Sequence, residues 1–504
     1  MHRTTSSKLL LACSAAALTA CGSIQPTPLS RDTLKQANAA DKATGSKEVE
    51  GITGPLTLHE ALARALKYNL DRRARLMEEA IALNQLDLSR YDLLPKLVAS
   101  AGYYHRNEER ATFSSPYLPV PGPRGDSASV TAEASRPVAD LGLTWNLLDF
   151  GLGRSSAKQA ADRVLIAAER RRKAMHVLMQ DVRTAYWRAA SAQKLRADVD
   201  KTIKMAEAAL ADSRRAEAER LRNPLDQLRY QRQLLENLRL LEAIDQELAS
   251  AHIELASLIN APLGQPIRLA DERVDVGGNG VMAMSVTQLE ELALENNPDL
   301  REQHYNTRVA SEEVRKVMVR LFPNIAFNYT FKYDADNYLV HQRWNEAGLQ
   351  VSYNLMNLLS APIQIKLAEA GVALADQRRV AAQMAVLTQV HLARLQLQNA
   401  RNQFERADAI ARTDQQIAEQ VRQRVAAQAQ SQLDQVANET SSILSVLRRY
   451  QALSLVHTAE SRLIANLGLE PRVGSTSELS LQQLAAQIGK PPHEAEPPNL
   501  QGAK

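Results

Sequence analysis

Two hydrophobic periods alternate along this chain, and each occurs twice. Val164, Ala168, Met175, Leu178, Val182, Ala185, Ala189, Ala192, Val199, Ile203, Ala206 and Leu210 follow a 3-4 spacing broken by Arg171 and Arg196. Such spacing predicts a long helix in left-handed coiled-coil packing, with alanines allowing close approach. It returns from Val386 through Val390, Ala393, Leu397, Ala400, Phe404, Ala407 and Ala411. Four short segments, about 96–106, 138–148, 325–334 and 347–356, alternate with period two and predict strands. Their apolar sets are Leu97, Ala99, Ala101 and Tyr103; Leu141, Leu143, Trp145 and Leu147; Phe327, Tyr329, Phe331 and Tyr333; and Leu349, Val351, Tyr353 and Leu355. The opposite faces carry polar residues such as Ser100, Asp140, Asn328, Lys332 and Gln350.

The chain also repeats itself. Setting Asn69 over Asn297 aligns "ALKYNLD" with "ALENNPD" and Pro95 with Pro323, at an offset of about 228 residues. The offset then falls to about 208, so that "LTWNLLDFG" (143–151) lies on "VSYNLMNLL" (351–359) and Leu225-Asp226-Gln227 on Leu433-Asp434-Gln435. Asn260 meets Gly468, both suited to a left-handed helix stop. Each half reads helix, strand, strand, long helix, helix. The helices are expected at about 57–94, 153–221 and 225–260, then 285–321, 361–428 and 432–467. The fold class is mainly α with a small β part. Its divisions are a signal peptide (1–20), an N-terminal tail (21–56), a first repeat (57–263), a linker (264–284), a second repeat (285–471) and a C-terminal segment (472–504). A helix of about 70 residues spans on the order of 100 Å, longer than any single globular core.

Charge and cysteine usage narrow the picture. The net charge is +4 in 504 residues, which gives no nucleic-acid footprint. "MHRTTSSKLLLACSAAALTAC" has the form of a secretory signal, too short to span a membrane. Its end, Leu18-Thr19-Ala20-Cys21, resembles the lipobox of bacterial lipoproteins. That resemblance implies diacylglycerol on the Cys21 thiol, cleavage before it and N-acylation, and Gly22 in the next position implies outer-membrane sorting. Cys13 leaves with the signal, so the mature chain keeps no thiol for disulfides or metal. No other segment approaches 18 consecutive apolar residues, so any membrane span must be made of strands. Most aromatic side chains of this 4% aromatic chain fall in and beside the four strands, as an aromatic girdle requires. Tyr103, Trp145, Phe327, Tyr329, Phe331 and Tyr353 are the expected lipid-facing residues. Four strands cannot close a barrel, and open edges are not tolerated in lipid, so the strands must be shared between subunits.

No catalytic constellation, phosphate loop or metal motif appears, and no cofactor is expected. "MHVLM" (175–179) fits core packing better than a soft-metal site. "ERRRK" (169–173) and "RRAEAER" (214–220) read as solvated helix faces, and "PYLPVPGPRG" (116–125) as a turn-rich outer loop.

The duplicated halves in register, "TWNLLDFGLGR" (144–154) and the two Leu-Asp pairs resemble the TolC family of outer-membrane channel proteins, in its lipidated, OprM-like branch. The resemblance runs from about 55 to 471. It implies a homotrimer whose twelve strands form one outer-membrane barrel, continued by a periplasmic tunnel of twelve helices. Segments 29–56, 262–284 and 472–504 would form a belt around the tunnel. It further implies an exit duct for small molecules, working with an inner-membrane transporter and a periplasmic adaptor that contacts the hairpin tips at Arg220, Asn223, Gln428 and Ser431. The same duct could serve type I protein secretion; a structural periplasmic lipoprotein is the remaining alternative. Family tips carry a glycine where Arg220 and Gln428 stand here, and the mouth-closing Tyr and Arg of the family align with Val425 and Gln430. The resemblance places Asp434 towards the lumen as a gate ring and Asp226 towards an inter-helix contact. Both could instead cap the helices that follow the turns.

Overall fold

The computed structural model describes residues 26–113, 128–218, 224–265, 267–270, 280–470, 479–490 and 493–494. The chain divides into two compact units, up to Glu50 and from Gly51 onward. In the first, α1 (Arg31–Ser46) begins where the Ser30 hydroxyl accepts the Thr33 amide, and it buries no residue.

The second unit runs α2 (Leu58–Tyr68), α3 (Leu70–Tyr91), β1 (Lys96–His105), β2 (Arg110–Phe113), β3 (Ala128–Ala132), β4 (Ser135–Asn146), α4 (Leu147–Ala218) and α5 (Pro224–Leu258). The second half follows as α6 (Val286–Asn296), α7 (Pro298–Arg320), β5 (Asn324–Asp334), β6 (Arg343–Ser352), α8 (Met356–Ala426) and α9 (Gln432–Asn466). Short β7 (Leu469–Glu470), α10 (Leu481–Ile488) and β8 (His493–Glu494) close it. The duplication thus holds element by element, and the β2–β3 hairpin is an addition confined to the first half.

The helix expected over 57–94 is two helices, and so is that over 285–321. Asn69 and Asn297 each leave the helical region, with ψ of 128° and 125°. Each side-chain oxygen then caps the next helix, Asn69 on the Arg72 amide and Asn297 on those of Asp299 and Leu300. Each amide nitrogen donates to the end of its half's last helix, at Leu258 (3.0 Å) and Asn466 (2.9 Å). Leu66 and Leu70 flank Asn69 at helical spacing, so the first hinge is invisible to periodicity alone.

The long helices start earlier than expected, at Leu147 and Met356, so Leu147, Tyr353 and Leu355 lie outside the strands. Close packing accounts for the first start. A Cβ on Gly151 would stand 3.0 Å from Val319 Cγ1, and one on Gly153 3.1 Å from Leu93 Cδ2. The two glycines therefore let α4 begin directly against the ends of α3 and α7. Asn260 (φ 53°) and Gly468 (φ 67°) end the halves in the left-handed conformation, as their sequence predicts.

Nearest the strands the helices pack side by side in the order α3, α4, α7, α8, and beyond the hinges in the order α5, α4, α9, α8. Alanines 168, 185, 189, 192 and 206 of α4 are buried in these seams. Leu56 pairs with Leu269 in a parallel bridge, Tyr186 of α4 donates to the Leu56 carbonyl, and α10 packs on α2.

"ERRRK" is not a solvated face. Glu169 and Arg172 are buried and paired; Arg172 also donates to the carbonyls of Asn296 (3.3 Å) and Gly468 (3.1 Å), and Arg301 reaches Glu169 at 2.9 Å. Arg170, Arg171 and Lys173 pair with Glu302, Glu79 and Asp299. Helix α8 contains an 18-residue window apolar enough to cross a bilayer by length and composition, though it holds no unbroken apolar run, and none of that window is buried.

Candidate functional site

The four strands form one antiparallel sheet in the order β1, β4, β5, β6. Its register puts Leu97, Leu143, Tyr329 and Ala347 in one row, and Ala99, Leu141, Phe331 and Asn345 in the next. Trp145, Phe327 and Leu349 make a third. Directly opposed residues share a face, so the apolar sets of four strands merge into one surface. Tyr103, Trp145, Phe327, Tyr329 and Phe331 all stand exposed on it. Tyr353, just past β6, is half-buried. No described element covers this surface, which greatly exceeds a scattered surface hydrophobe in extent.

The other face is polar and cross-linked. Ser100 donates to Asp140 at 3.2 Å, Lys332 meets Glu346 at 2.6 Å, and Trp344 Nε1 donates to Glu346 at 2.7 Å. At the end away from the long helices, Arg136 holds Asp334 (3.2 Å) and the buried Asp336 (2.7 Å). Among the described residues, β1 and β6 are sheet edges without a neighbour.

The helix layer ends in the same way. Met77, Ile81, Leu88 and Tyr91 of α3 are exposed at one margin, and Ile363, Leu367, Leu374, Val380 and Met384 of α8 at the other. The apolar window of α8 thus lies on an open margin of the helix layer.

At the end of the long helices away from the strands, the second-half tip is fully described. The α8 chain closes through Gln428 at φ 59°, with the Gln428 amide on Val425 and the Ala429 amide on Arg424. A residue with a Cβ therefore adopts the backbone that glycine usually supplies. Ser431 then caps α9 in a capping box: its hydroxyl accepts the Asp434 amide (3.2 Å), and the Asp434 carboxylate accepts the Ser431 amide (3.3 Å) and hydroxyl (2.7 Å). Gln430 Oε1 is buried without a hydrogen-bond partner among the described residues. In the first half, Asp226 is exposed in the first turn of α5, with Arg229 3.8 Å away. The structure thus places Asp434 in the cap of α9. Arg220 and Asn223 lie outside the described residues, as do Cys21 and the 116–125 loop.

Between strands and tip, α4, α8 and α9 enclose a charged cavity of 550 Å³. Within it Asp408 holds Arg449 (2.5 Å) and Arg412, and Arg422 joins Glu419 (2.6 Å) to Glu439 (2.7 Å). Burial works against ionisation of Asp408, but hydrogen bonds from Arg449 and Arg412 outweigh it and hold its carboxyl below the ordinary range. None of these pairs is legible in the heptad pattern.

Residues 61–261 and 289–469 match a family described as "Outer membrane efflux protein". A crystal structure of a membrane protein from Pseudomonas aeruginosa superposes with a TM-score of 0.60 at 18% identity, over 84% of this chain and 92% of that one. The CmeC outer membrane channel of Campylobacter jejuni gives 0.61 at 12% identity, over 93% and 94%. The MtrE outer membrane channel of Neisseria gonorrhoeae, in its open state, gives 0.60 at 17%, over 82% and 88%. At such identities the likeness is one of fold. No curated protein matches the sequence significantly.

Proposed function

The chain belongs to the outer membrane efflux protein family, and from that premise we propose that it forms the outer-membrane exit duct of a tripartite efflux system. Three copies would share one twelve-stranded barrel and a twelve-helix tunnel, anchored by acyl chains on Cys21. The observation that carries this reading is the matched pair of unfinished margins. Sheet and helix layer both end in an unpartnered edge on each side, β1 with α3 and β6 with α8. Edges that differ from one another join head to tail, and such a contact closes into a ring when the rotation permits. Joining β6 to the next copy's β1 would remove every strand edge, which a bilayer demands. The exposed apolar face would then meet lipid, and the Lys332–Glu346 face would line a wet lumen.

Cargo would pass passively, with an inner-membrane transporter supplying the energy and a periplasmic adaptor holding the tips near Gln428 and Ser431. Asp434 and Asp226 would place carboxylates near the mouth, where three copies of each concentrate cations. The purified protein, released in an uncharged detergent, should have the mass of three chains and should conduct ions in planar bilayers. Multivalent cations added on the tip side should block the current, and Asp434→Asn should relieve that block more than Asp226→Asn. A monomer, or a trimer that conducts nothing, would sink the duct. Block unchanged in both variants would restrict Asp434 to capping.

A further inference from the structure

Along the seam of α4 and α5, beneath the segment 267–270, lies a cavity of 760 Å³. Gln193 of α4 fixes that segment, donating to the Leu269 carbonyl at 3.1 Å and accepting the Leu269 amide at 2.7 Å. Three nitrogen-bearing side chains from three separate stretches line the cavity: Arg196 of α4, His252 of α5 and Arg268 of the segment. Ala249, Ile253 and Ile267 supply an apolar wall, and Ile253 is 54% exposed. No carboxylate stands among the described lining residues. His252 Nδ1 is buried with no hydrogen-bond partner among the described residues. Burial and the charge of Arg196 both hold the imidazole below its ordinary range. Elsewhere in this molecule clustered arginines meet carboxylates, as Arg172 and Arg449 do.

We propose that this cavity binds a small anion carrying a phosphate or carboxylate group on an apolar body. Two guanidinium groups from different elements suit oxyanions, which they grip bidentately. An anion between Arg196 and His252 neutralises the guanidinium, favours a proton on the imidazole and gives Nδ1 a partner. The cavity lies in the size range of small-molecule sites, and its isoleucines would leave bare phosphate poorly packed. Arg196 stands about 70 Å along α4 from the strands, at 1.5 Å per residue. The headgroups of a bilayer holding those strands do not reach it, so the ligand comes from the aqueous compartment. All three polar groups belong to one chain, and binding does not depend on how chains assemble.

The test is calorimetric titration of the purified full-length protein, in uncharged detergent, with phenyl phosphate, 3-phenylpropionate, inorganic phosphate and benzyl alcohol. At least one of the two aromatic anions should saturate a single site; the tighter of them identifies the head group. Inorganic phosphate should bind more weakly, and benzyl alcohol should not bind. Arg196→Gln and Arg268→Gln should each weaken the anion at least roughly tenfold, the worth of one charged hydrogen bond. Lys201→Gln, on the same helix outside the cavity, should leave the affinity unchanged, and all three variants should melt as the parent does without ligand. Failure of both aromatic anions to saturate, or equal affinity in parent and arginine variants, would overturn the site. Binding that appears only after Asp271→Asn with Glu272→Gln would also overturn it, because the chain's own acidic stretch would then be the occupant.

Discussion

At each hinge the chain leaves one helix through an asparagine, enters the next, and receives a guanidinium on the carbonyls that the break exposes. At the first hinge the guanidinium is local: Arg72, one turn into α3, donates to the Leu66 carbonyl, and burial together with Arg171 pushes its pKa down to about 10. At the second hinge Leu300 occupies the matching position and is buried. There the guanidinium crosses a helix seam, as Arg172 of α4 reaches Asn296 and Gly468 while Glu169 neutralises it. On α8 the positions matching Arg172 and Glu169 are Val380, 52% exposed, and Gln377. The duplication has kept the backbone and moved the charge. The seam between α4 and α7 carries a buried ionic lock, whereas the open margin of α8 exposes apolar side chains. That division suits assembly: a buried charge set must find all its partners at once, and an apolar margin needs only a complementary surface.

The largest asymmetry should lie at the two left-handed stops. A Cβ on Gly468 would stand 2.1 Å from the Asn296 carbonyl oxygen, so Gly468→Ala must displace the second hinge itself. Its cost should reach at least about 4 kcal/mol, in the range reserved for disrupted cores and strained backbone. Asn260→Ala at the matching stop should cost less, with about 1 kcal/mol coming from the left-handed backbone. Chemical denaturation of the two variants checks this, and equal losses would mean that the hinges are not built differently.

The lock comes next. Arg172→Met leaves Glu169 buried with Arg301 as its remaining cationic partner and uncaps two carbonyls, a loss of about 3–5 kcal/mol. Val380→Ala on α8 should cost about 1 kcal/mol or less. Pairing Arg172→Met with Glu169→Gln should recover part of the loss, because no buried carboxylate remains and the charge left over, Arg301, is 20% exposed. Were Arg172→Met as mild as Val380→Ala, the lock would be ornamental.

A third contrast depends on pH. Asp408 sits between Arg449 and Arg412, while the matching positions of the first half, Asp200 and Leu241, form no such pair. A carboxyl depressed in the folded state adds stability above its unfolded pKa, near 4, and loses it as pH falls through the lower folded value. Acid should therefore destabilise the parent below about pH 4 more than it destabilises Asp408→Asn. Denaturation midpoints from pH 7 to pH 3 measure this, and parallel curves would remove Asp408 from the account.

What could be read from the residues, and what could not, divides along a physical line. Periods of 2 and 3.5 are properties of single elements, so both strand faces and the long helices were legible. So were the left-handed stops at Asn260 and Gly468. The first hinge is hidden because Leu66 and Leu70 flank Asn69 at helical spacing, whereas at the second Asn297 directly before Pro298 is a cap-and-start signal. Strand ends were misplaced at Leu147 and Tyr353, where alternation continues but packing at Gly151 and Gly153 draws the first chain into helix. "ERRRK" was misread because burial of a charge depends on partners more than a hundred residues away, and no local pattern carries that. Glu169 finds Arg301 only once α4 and α7 lie side by side.

The smallest effect is expected at the tip, where the comparison can be sharpened most finely. Gln428 holds φ at 59° and Asn260 at 53°, yet their side chains differ in how well they tolerate that region. Asparagine bonds locally and visits it readily, whereas glutamine gains no such relief and carries the full crowding of its Cβ. Glycine at 428 would remove about 1–2 kcal/mol of that strain and restore about 0.5–1 kcal/mol of chain entropy to the unfolded state. The net gain, about 0.5 kcal/mol, is too small for the melting point of so large a chain but suited to a local probe. The Ala429 amide, bonded to the Arg424 carbonyl at 2.8 Å, should exchange with solvent roughly twofold more slowly in Gln428→Gly if the turn opens locally. Asn260→Gly should leave the Ala261 amide, bonded to Ala256 at 2.8 Å, unchanged or slightly faster. Faster exchange at Ala429 would mean that Gln428 is held by more than its backbone, and that this tip uses its side chain to set the turn.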